Sequence, residues 1–292
     1  MFTLEEITTS DGLVHQGIVA NPSQTTKGVI VWVHGLTSTF YNNTMILNLL
    51  AKQAFTKNLA VASFNTRGHD MITSIRKNDN RDPKGYTKIL GGAGYEVFEE
   101  CIQDLEAITG YFIEKGYKKV FFVGHSSGAN KVCYYAGTTK TSLLGGVALL
   151  CPMSDRLDPR ANKEEITQNL EKCKLLIDSG REDALVTTLG FFPMTAKRYV
   201  SLVTPLSSED QFDYGEFSPV MVDYTNISVP LFVRFAEMDE YADRPIKDIK
   251  KVFDEMHKSI SYQSKIIPNS LHNLKNNEHE VVGDLVDWAA SF

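Results

Sequence analysis

The sequence predicts an α/β fold, with a mostly parallel sheet covered by helices on both faces. Two near-continuous apolar runs, Gly28 to Val33 and Leu59 to Phe64, are typical of strands that are buried on both sides. A segment with helical spacing, residues 44–57, lies between these two runs. The same alternation of strand and helix, with short loops, continues along the chain and favours a parallel sheet.

The chain begins with a predicted hairpin, because turn signals at residues 10–12 and 21–22 divide residues 2–21 into two strands. The later core elements alternate in type, and the last helix is amphipathic. The predicted strands after the hairpin are 28–33, 59–64, 118–123, 144–150, 229–235 and 262–267, and the predicted helices are 44–57, 95–115, 127–136, 245–258 and 278–290.

The alternation stops between residues 154 and 225, where no strong strand pattern is present. Most connections in compact domains run ~4–6 residues, and a much longer insertion is usually functional, such as a lid. We therefore expect a mainly helical cap at 154–225, inserted into a core made of residues 1–153 and 226–292. The helix-like pieces of the cap are 163–179, 181–189 and 195–203.

Composition and charge exclude several classes of function. The chain has 292 residues, is 42% hydrophobic and carries a formal net charge of −6 with scattered lysines, so nucleic acid is not an expected partner. No apolar run reaches the ~18 residues of a transmembrane helix, and the first thirty residues lack the layout of a signal peptide. We expect a cytoplasmic protein without stable membrane insertion; the sequence gives no indication of its oligomeric state.

The four cysteines show no C-x-x-C spacing, so the sequence indicates neither a zinc site nor a disulfide framework.

A nucleophile motif follows the strand predicted over 118–123. In FFVGHSSGAN, residues 121–130, Gly124, Ser126 and Gly128 fit the pattern G-x-S-x-G. A serine needs a base to take its proton and a sharp strand-to-helix turn to hold its oxygen clear of the backbone. The strand before the motif and the helix after it favour Ser126 as a nucleophile over an ordinary glycine-rich turn.

A second motif, His34-Gly35-Leu36, directly follows another buried strand. With both motifs, the chain resembles the serine hydrolases of the α/β-hydrolase superfamily, of the carboxylesterase and lipase type with a single H-G-x oxyanion loop. The resemblance implies the α/β-hydrolase fold over about residues 28–292. It also implies an oxyanion hole made by the backbone N–H groups of Leu36 and Ser127, where each such donor contributes roughly 3 kcal/mol.

The resemblance further implies an acid and a base that follow the serine in the order Ser, Asp/Glu, His. His272 lies in a turn-rich loop after the last predicted strand and is the predicted base, with His279 as the alternative. Asp239 corresponds to the acid in the loop after the strand that follows the cap. Asp243 is the second choice, and Asp155 is the third.

Two other turns receive structural interpretations. The segment Arg67-Gly68-His69 resembles a turn common in the superfamily, and we expect it to be structural. The segment 91–94, Gly-Gly-Ala-Gly, lacks the Lys-Ser/Thr of a phosphate loop and follows no predicted strand, so we interpret it as a hinge or helix start.

Four aromatic residues are candidates for a substrate pocket: Phe40 and Tyr41 after the oxyanion loop, and Phe191 and Phe192 in the cap. Simple packing of the cap onto the core is an equally good interpretation for each of them.

These residues predict a serine hydrolase that cleaves a carboxylic ester, or another small-molecule acyl substrate, through an acyl-enzyme without a metal or organic cofactor. A Ser-His-Asp triad does not distinguish acyl leaving groups, so an amidase, peptidase or thioesterase remains open. A non-catalytic binding protein on the same fold is the alternative from another class.

Overall fold

A ten-stranded sheet forms the centre of the molecule in the computed structural model. The structure describes residues 1–24, 26, 28–157, 162–187, 192–215 and 220–292. The strands are β1 (Phe2–Thr8), β2 (Leu13–Ala20), β3 (Gly28–Val33), β4 (Leu59–Phe64), β5 (Thr73–Asn78), β6 (Tyr86–Gly91), β7 (Lys119–His125), β8 (Leu144–Leu150), β9 (Leu185–Val186), β10 (Met194–Thr195), β11 (Leu231–Ala236) and β12 (Tyr262–Ile267). The helices are α1 (Thr44–Thr56), α2 (Cys101–Glu114), α3 (Ser127–Thr138), α4 (Lys163–Asp178), α5 (Ala196–Val203), α6 (Val222–Asn226), α7 (Ile246–Met256) and α8 (Glu278–Ala289).

Most of the large sheet is parallel, as the sequence predicts. The strand order is β12-β11-β8-β7-β3-β4-β2-β5-β6, with β1 paired to β2. The strands from β12 to β4 are parallel. The strands β1, β2, β5 and β6 form an antiparallel extension at one side.

Helices cover both faces of the parallel part of the sheet. As a result, every residue of β3, β4 and β11 is buried. Leu105 and Phe112 of α2 pack with α3 and α7 on one face. Leu50 of α1 packs with Trp288 of α8 on the other face. None of the helices that the structure describes is both long and apolar enough to cross a membrane.

The connections place a reversal of strand order between β3 and β7. From β3 the chain moves to β4 on one side, and from β7 it moves to β8, β11 and β12 on the other side. In open α/β sheets, ligands bind beyond the carboxyl ends of the strands at such a reversal. Val33 and Gly124 are register partners, so the segments that follow them lie side by side at this point.

The hairpin of β5 and β6 is not predicted by the sequence. Ile75 is the one buried residue of β5 and Gly91 the one buried residue of β6, so the strands show almost no alternation of apolar and polar residues. The prediction that the segment 91–94 follows no strand is wrong, since β6 ends at Gly91. Gly92 has φ of 93°, and an added Cβ there would lie 2.9 Å from the carbonyl oxygen of Met71.

The region after β8 contains two of the three predicted helical pieces. α4 begins after Asn162, whose side chain accepts from the N–H groups of Glu164 and Glu165, and α5 begins after Thr195, which caps it in the same way. The helix predicted over 181–189 is wrong: β9 lies within this range and pairs with β10. β-Branched residues such as Val186 favour strand over helix. Residues 188–191 lie outside the described residues, and the division into core and cap stays a prediction.

Four buried charges connect the segment 192–215 to the core. Lys131 of α3 lies 2.6 Å from Glu96, and Arg198 of α5 lies 3.7 Å from Glu96 and pairs with Glu209. The side chains are at most 3% exposed. Arg198 Nε also donates to the carbonyl of Ala93 at 2.9 Å. The formal charges of the four side chains sum to zero, so the cluster is electrically balanced.

Candidate active site

Ser126 lies at the sharp turn between β7 and α3, with φ of 57° and ψ of −132°. Such backbone conformations cost about 1–3 kcal/mol and concentrate at functional sites. The two glycines of the motif are required by space. An added Cβ at Gly124 would lie 2.2 Å from the Gly128 carbonyl oxygen, and one at Gly128 would lie 2.3 Å from the Val33 carbonyl oxygen. The turn therefore has the geometry of a nucleophile elbow, with Ser126 partly exposed.

His34 holds the loop after β3 against the loop after β4. Its buried Nε2 accepts from the N–H of Thr66 at 3.1 Å, so the proton lies on Nδ1, which donates to the carbonyl of Gly35 at 3.0 Å. Burial, together with the charge of Lys131, lowers the pKa of His34 to about 3, so the ring is neutral at pH 7. An added Cβ at Gly35 would lie 3.0 Å from Ser126 Cβ, which shows that this loop touches the serine turn.

The N–H groups of Leu36 and Ser127 are available for an outside acceptor. Within the described part of the chain, neither donates a hydrogen bond to another residue. Ser127 is the first residue of α3, where N–H groups lack partners inside the helix and the helix dipole favours negative charge. The side chain of Leu36 packs against an apolar cluster that includes Phe192 and Tyr199.

His272 and Asp239 form a buried pair at the carboxyl ends of β12 and β11. His272 Nδ1 lies 2.8 Å from Oδ2 and 3.0 Å from Oδ1 of Asp239. A carboxylate accepts, so Nδ1 carries the proton and Nε2 is left as a base. Asp239 is held in turn by the N–H of Tyr241 at 3.0 Å. β11 and β12 are parallel neighbours, which brings the two loops together.

The other candidate acids have different partners. Asp243 pairs with Arg244 at 2.7 Å. Asp155 interacts with the charge of Arg198. Burial opposes that charge, but the nearby carboxylates, Asp155 among them, raise the pKa of Arg198. Among the carboxylates that the structure describes, Asp239 alone contacts the ring of His272. The alternative base, His279, is exposed at the start of α8.

Ser126 and His272 lie in adjoining loops, but no hydrogen bond joins Ser126 Oγ to His272 in the described structure. Catalytic hydrogen bonds are often long until substrate is bound and tighten in the complex. The geometry therefore brings the predicted base and the predicted acid into contact, and the hydrogen bond from His125 joins their loop to the serine turn.

Sequence reasoning gives no role to His125 and Glu240, which both contact the backbone of His272. His125 Nε2 lies 2.8 Å from the His272 carbonyl oxygen, and Glu240 Oε2 accepts from the His272 N–H at 3.0 Å. The signal for His125 is an ionisable residue directly before Ser126, inside the serine motif. Glu240 gives a weaker signal, because it lies among several acidic residues.

The predicted pocket residues have mixed positions. Tyr41 donates to Asp70 at 3.1 Å and packs edge-on against Phe40. Phe192 is 3% exposed within the apolar cluster beside Leu36. Phe191 lies outside the described residues, and the assignment of all four to a substrate pocket stays a prediction.

A groove of about 700 Å³ runs between α1 and the start of α8, on the His125 side of the serine turn. Its apolar wall includes Trp32, Leu49 and Leu274.

The turn Arg67-Gly68-His69 has structural contacts, as expected. Arg67 lies 3.0 Å from the buried Asp104, and His69 Nδ1 donates to the carbonyl of Thr66 at 2.8 Å. An added Cβ at Gly68 would lie 2.3 Å from Glu96.

Cys151 lies beside the His272 and Asp239 pair, and ligand atoms of the three residues are within 4.8 Å of one another. Burial raises the pKa of the Cys151 thiol well above its usual value, which disfavours the thiolate that binds metals. Nδ1 of His272 is already occupied by Asp239. A buried thiol next to a hydrogen-bonded pair explains this arrangement without a metal.

The chain has the α/β-hydrolase fold, with a sharp turn at Ser126 between β7 and α3. It belongs to the DUF1749 family, described as proteins of unknown function, whose profile matches residues 87–292. No curated protein matches the chain.

Solved structures with the same fold cover nearly the whole chain at low identity. DcsB in complex with its substrate analogue is 12% identical with a TM-score of 0.70, and the match covers 100% of this chain and 99% of that one. The siderophore hydrolase EstB from Aspergillus fumigatus is 17% identical with a TM-score of 0.64, covering 100% and 98%. Est1E from Butyrivibrio proteoclasticus is 13% identical with a TM-score of 0.64, covering 99% and 98%.

Proposed function

We propose that the chain is a serine hydrolase that cleaves carboxylic esters of small molecules through an acyl-enzyme intermediate. The contact between His272 Nδ1 and the carboxylate of Asp239 carries this proposal, because it leaves Nε2 of His272 as a base. The hydrogen bond from His125 to the His272 carbonyl holds the loop of His272 against the serine turn. The strained backbone of Ser126 supports the assignment, since such strain is typical of nucleophile elbows.

In the first half of the reaction, His272 Nε2 takes the proton of Ser126 Oγ as the oxygen attacks the ester carbonyl. The tetrahedral intermediate carries a negative oxygen, which accepts hydrogen bonds from the N–H groups of Leu36 and Ser127. The protonated His272 then gives its proton to the leaving alcohol oxygen as the C–O bond breaks. Asp239 offsets the positive charge of the imidazolium during these steps.

Water completes the cycle by the same route in reverse. His272 takes a proton from the water, the hydroxide oxygen attacks the acyl carbon, and the proton returns to Ser126 Oγ as the acid leaves.

The segment 154–225 is proposed as a cap over the acyl side of the site. The apolar cluster that includes Phe192 and Tyr199 packs against Leu36, one of the two proposed oxyanion residues, and therefore lies close to the reacting centre. The buried pair of Arg198 and Glu96 fixes α5 to the core. An apolar surface here favours an apolar acyl group.

Ester hydrolysis is the form of acyl transfer that the comparisons favour. Two of the similar structures are named as a siderophore hydrolase and as a carboxyl esterase, at 17% and 13% identity. A further one, Est1E, was solved with ferulic acid bound.

The test compares the two adjacent serines. Ser126→Ala is expected to abolish hydrolysis of p-nitrophenyl esters and labelling by a fluorophosphonate, because it removes the nucleophile. Ser127→Ala is the matched control: its proposed contribution is the backbone N–H, and its buried Oγ has no hydrogen-bond partner among the described residues. Activity within a few fold of wild type is expected for Ser127→Ala. Full activity or full labelling of Ser126→Ala would contradict the proposal.

A panel of p-nitrophenyl esters of increasing acyl length, run beside aryl amides and thioesters, tests the substrate class. Turnover of esters well above amides supports an esterase. Turnover of amides or thioesters instead assigns the same triad to another leaving group, and no turnover of any substrate favours a binding protein.

A further inference from the structure

His125 lies directly before Ser126 and contacts both the sheet and the loop that carries His272. Its ring stacks on Trp32, with centroids 6.0 Å apart and planes 27° apart. On its other side the ring centroid lies 5.2 Å from that of His272. Its Nε2 is 2.8 Å from the His272 carbonyl oxygen, which can only accept, so Nε2 carries a proton and donates it.

The backbone of His272 is held from two directions. Its N–H donates to Glu240 at 3.0 Å, and its carbonyl accepts from His125. With the contact of Nδ1 to Asp239, three of the four polar groups of His272 have partners in the described structure. The fourth group, Nε2, is the one that the proposed reaction uses.

The hydrogen bond from His125 is a short connection between two distant parts of the chain. Ser126 follows β7 and His272 follows β12, and the strands β8 and β11 separate them in the sheet. Without this hydrogen bond, the distance between Ser126 and His272 would depend on two separate loops, one after β7 and one after β12. His125 is the neighbour of Ser126 in the chain, so its hydrogen bond fixes one loop directly to the other.

We propose that His125 is a positioning residue, whose Nε2–H holds the carbonyl of His272 and thereby sets the distance between Ser126 Oγ and His272 Nε2. This inference rests on the proposed function. His125 acts through His272 and touches no reacting atom.

The neutral form of His125 suits this role. Burial, with the nearby His272, lowers the pKa of His125 to about 4, so the ring is neutral at pH 7 and places no second positive charge beside the imidazolium that forms on His272.

Two substitutions separate the donor from the ring. His125→Phe keeps an aromatic ring against Trp32 and removes the donor. His125→Gln loses the ring and keeps an amide N–H that can reach the same carbonyl. His257→Phe is the matched control, since His257 also stacks on an aromatic ring, Tyr262, at the opposite end of β12.

The kinetic test measures kcat and KM for a p-nitrophenyl ester and the rate of fluorophosphonate labelling. His125→Phe is expected to lower kcat and the labelling rate about 100-fold, the effect of misplacing reacting groups by about 1 Å, with little change in KM. His125→Gln should recover most of this loss, and His257→Phe should behave as wild type. Should His125→Phe fail to fold, His125→Met replaces it, because Met matches Gln in length and lacks the donor.

Each outcome decides the inference. Recovery by Gln with loss in Phe or Met supports positioning by the donor. A wild-type kcat in His125→Phe overturns the positioning role of His125. An equal loss of kcat in His125→Gln and in His125→Phe or His125→Met overturns it too. Both outcomes leave the proposed hydrolase intact. A wild-type protein that neither turns over esters nor labels at Ser126 overturns the proposed function and this inference with it.

Discussion

His272 Nδ1 lies 2.8 Å from Oδ2 of Asp239, and the Asp239 side chain is fully buried. The contact fixes which ring nitrogen of His272 carries the proton. It also separates Asp239 from the other acidic residues of the same loop, because Glu240 contacts the backbone of His272 and Asp243 pairs with Arg244.

Asp239→Asn is expected to lower kcat about 10³- to 10⁴-fold with an intact fold, because an amide can donate to Nδ1 and so favours the wrong tautomer. The measurement is steady-state ester hydrolysis by the variant and by the wild type at the same pH. Asp243→Asn is the matched control and should retain activity within a few fold. The opposite pattern would assign the acid to Asp243.

Gly35→Ala is expected to lower kcat strongly while the protein stays folded. The new Cβ would lie 3.0 Å from Ser126 Cβ and 3.1 Å from the His125 carbonyl oxygen, so the proposed oxyanion loop and the serine turn must shift apart by a few tenths of an ångström. Gly110→Ala in α2 is the control, since no atom beyond its chain neighbours and the nearby backbone of α2 lies within 4 Å of its added Cβ. Alanine should stabilise this helix by about 0.5–1 kcal/mol without changing kcat. An unaffected kcat in Gly35→Ala would contradict a role of the loop His34-Gly35-Leu36 in binding the oxyanion.

The free energy of unfolding is expected to fall as the pH drops from about 6.5 to about 4. Burial lowers the pKa of His34 to about 3 and that of His125 to about 4, whereas an unfolded histidine titrates near ~6.5. As the pH falls through this window, the unfolded chain binds protons that the folded chain does not, so folding loses stability. Urea unfolding at several pH values measures the slope, and His125→Phe should make it shallower. An equal slope in the variant would contradict a His125 that stays neutral in the folded protein through this pH range.

Arg198→Met is expected to destabilise the protein by about 3–5 kcal/mol, because it leaves the buried Glu209 without its cationic partner, while Glu96 keeps Lys131. Lys197→Met is the matched control: its neighbouring pair with Asp183 is largely exposed, and such pairs contribute about 1 kcal/mol or less. Urea unfolding compares the two variants. Equal free energies of unfolding for Arg198→Met and Lys197→Met would contradict a buried, water-excluded pair of Arg198 and Glu209.

The sequence predicts the parallel part of the fold well, because strands buried on both faces leave a strong pattern. β3, β4, β8 and β12 lie at the predicted residues. The hairpin of β5 and β6 is missed for the opposite reason, since it buries little more than Ile75 and Gly91.

The residues of the candidate site also fall into two groups: those that the sequence predicts from local motifs and those whose role depends on contacts between distant segments. Ser126 and His34 lie in local motifs that can be recognised in the sequence alone. The choice of Asp239 among its acidic neighbours depends on which carboxylate reaches a ring 33 residues away, and the role of His125 depends on a contact across 147 residues. Contacts of this kind are set by the order of strands in the sheet, which local periodicity does not encode.

The buried cluster of Glu96, Lys131, Arg198 and Glu209 consists of two pairs, and each pair is neutral by itself. One pair belongs to the proposed core and the other to the proposed cap. Separating the proposed cap from the core would therefore leave no unpaired charge on either surface, because Glu96 keeps Lys131 and Arg198 keeps Glu209. Neither side depends on the other for electrical balance, so the charges impose little penalty on movement between them.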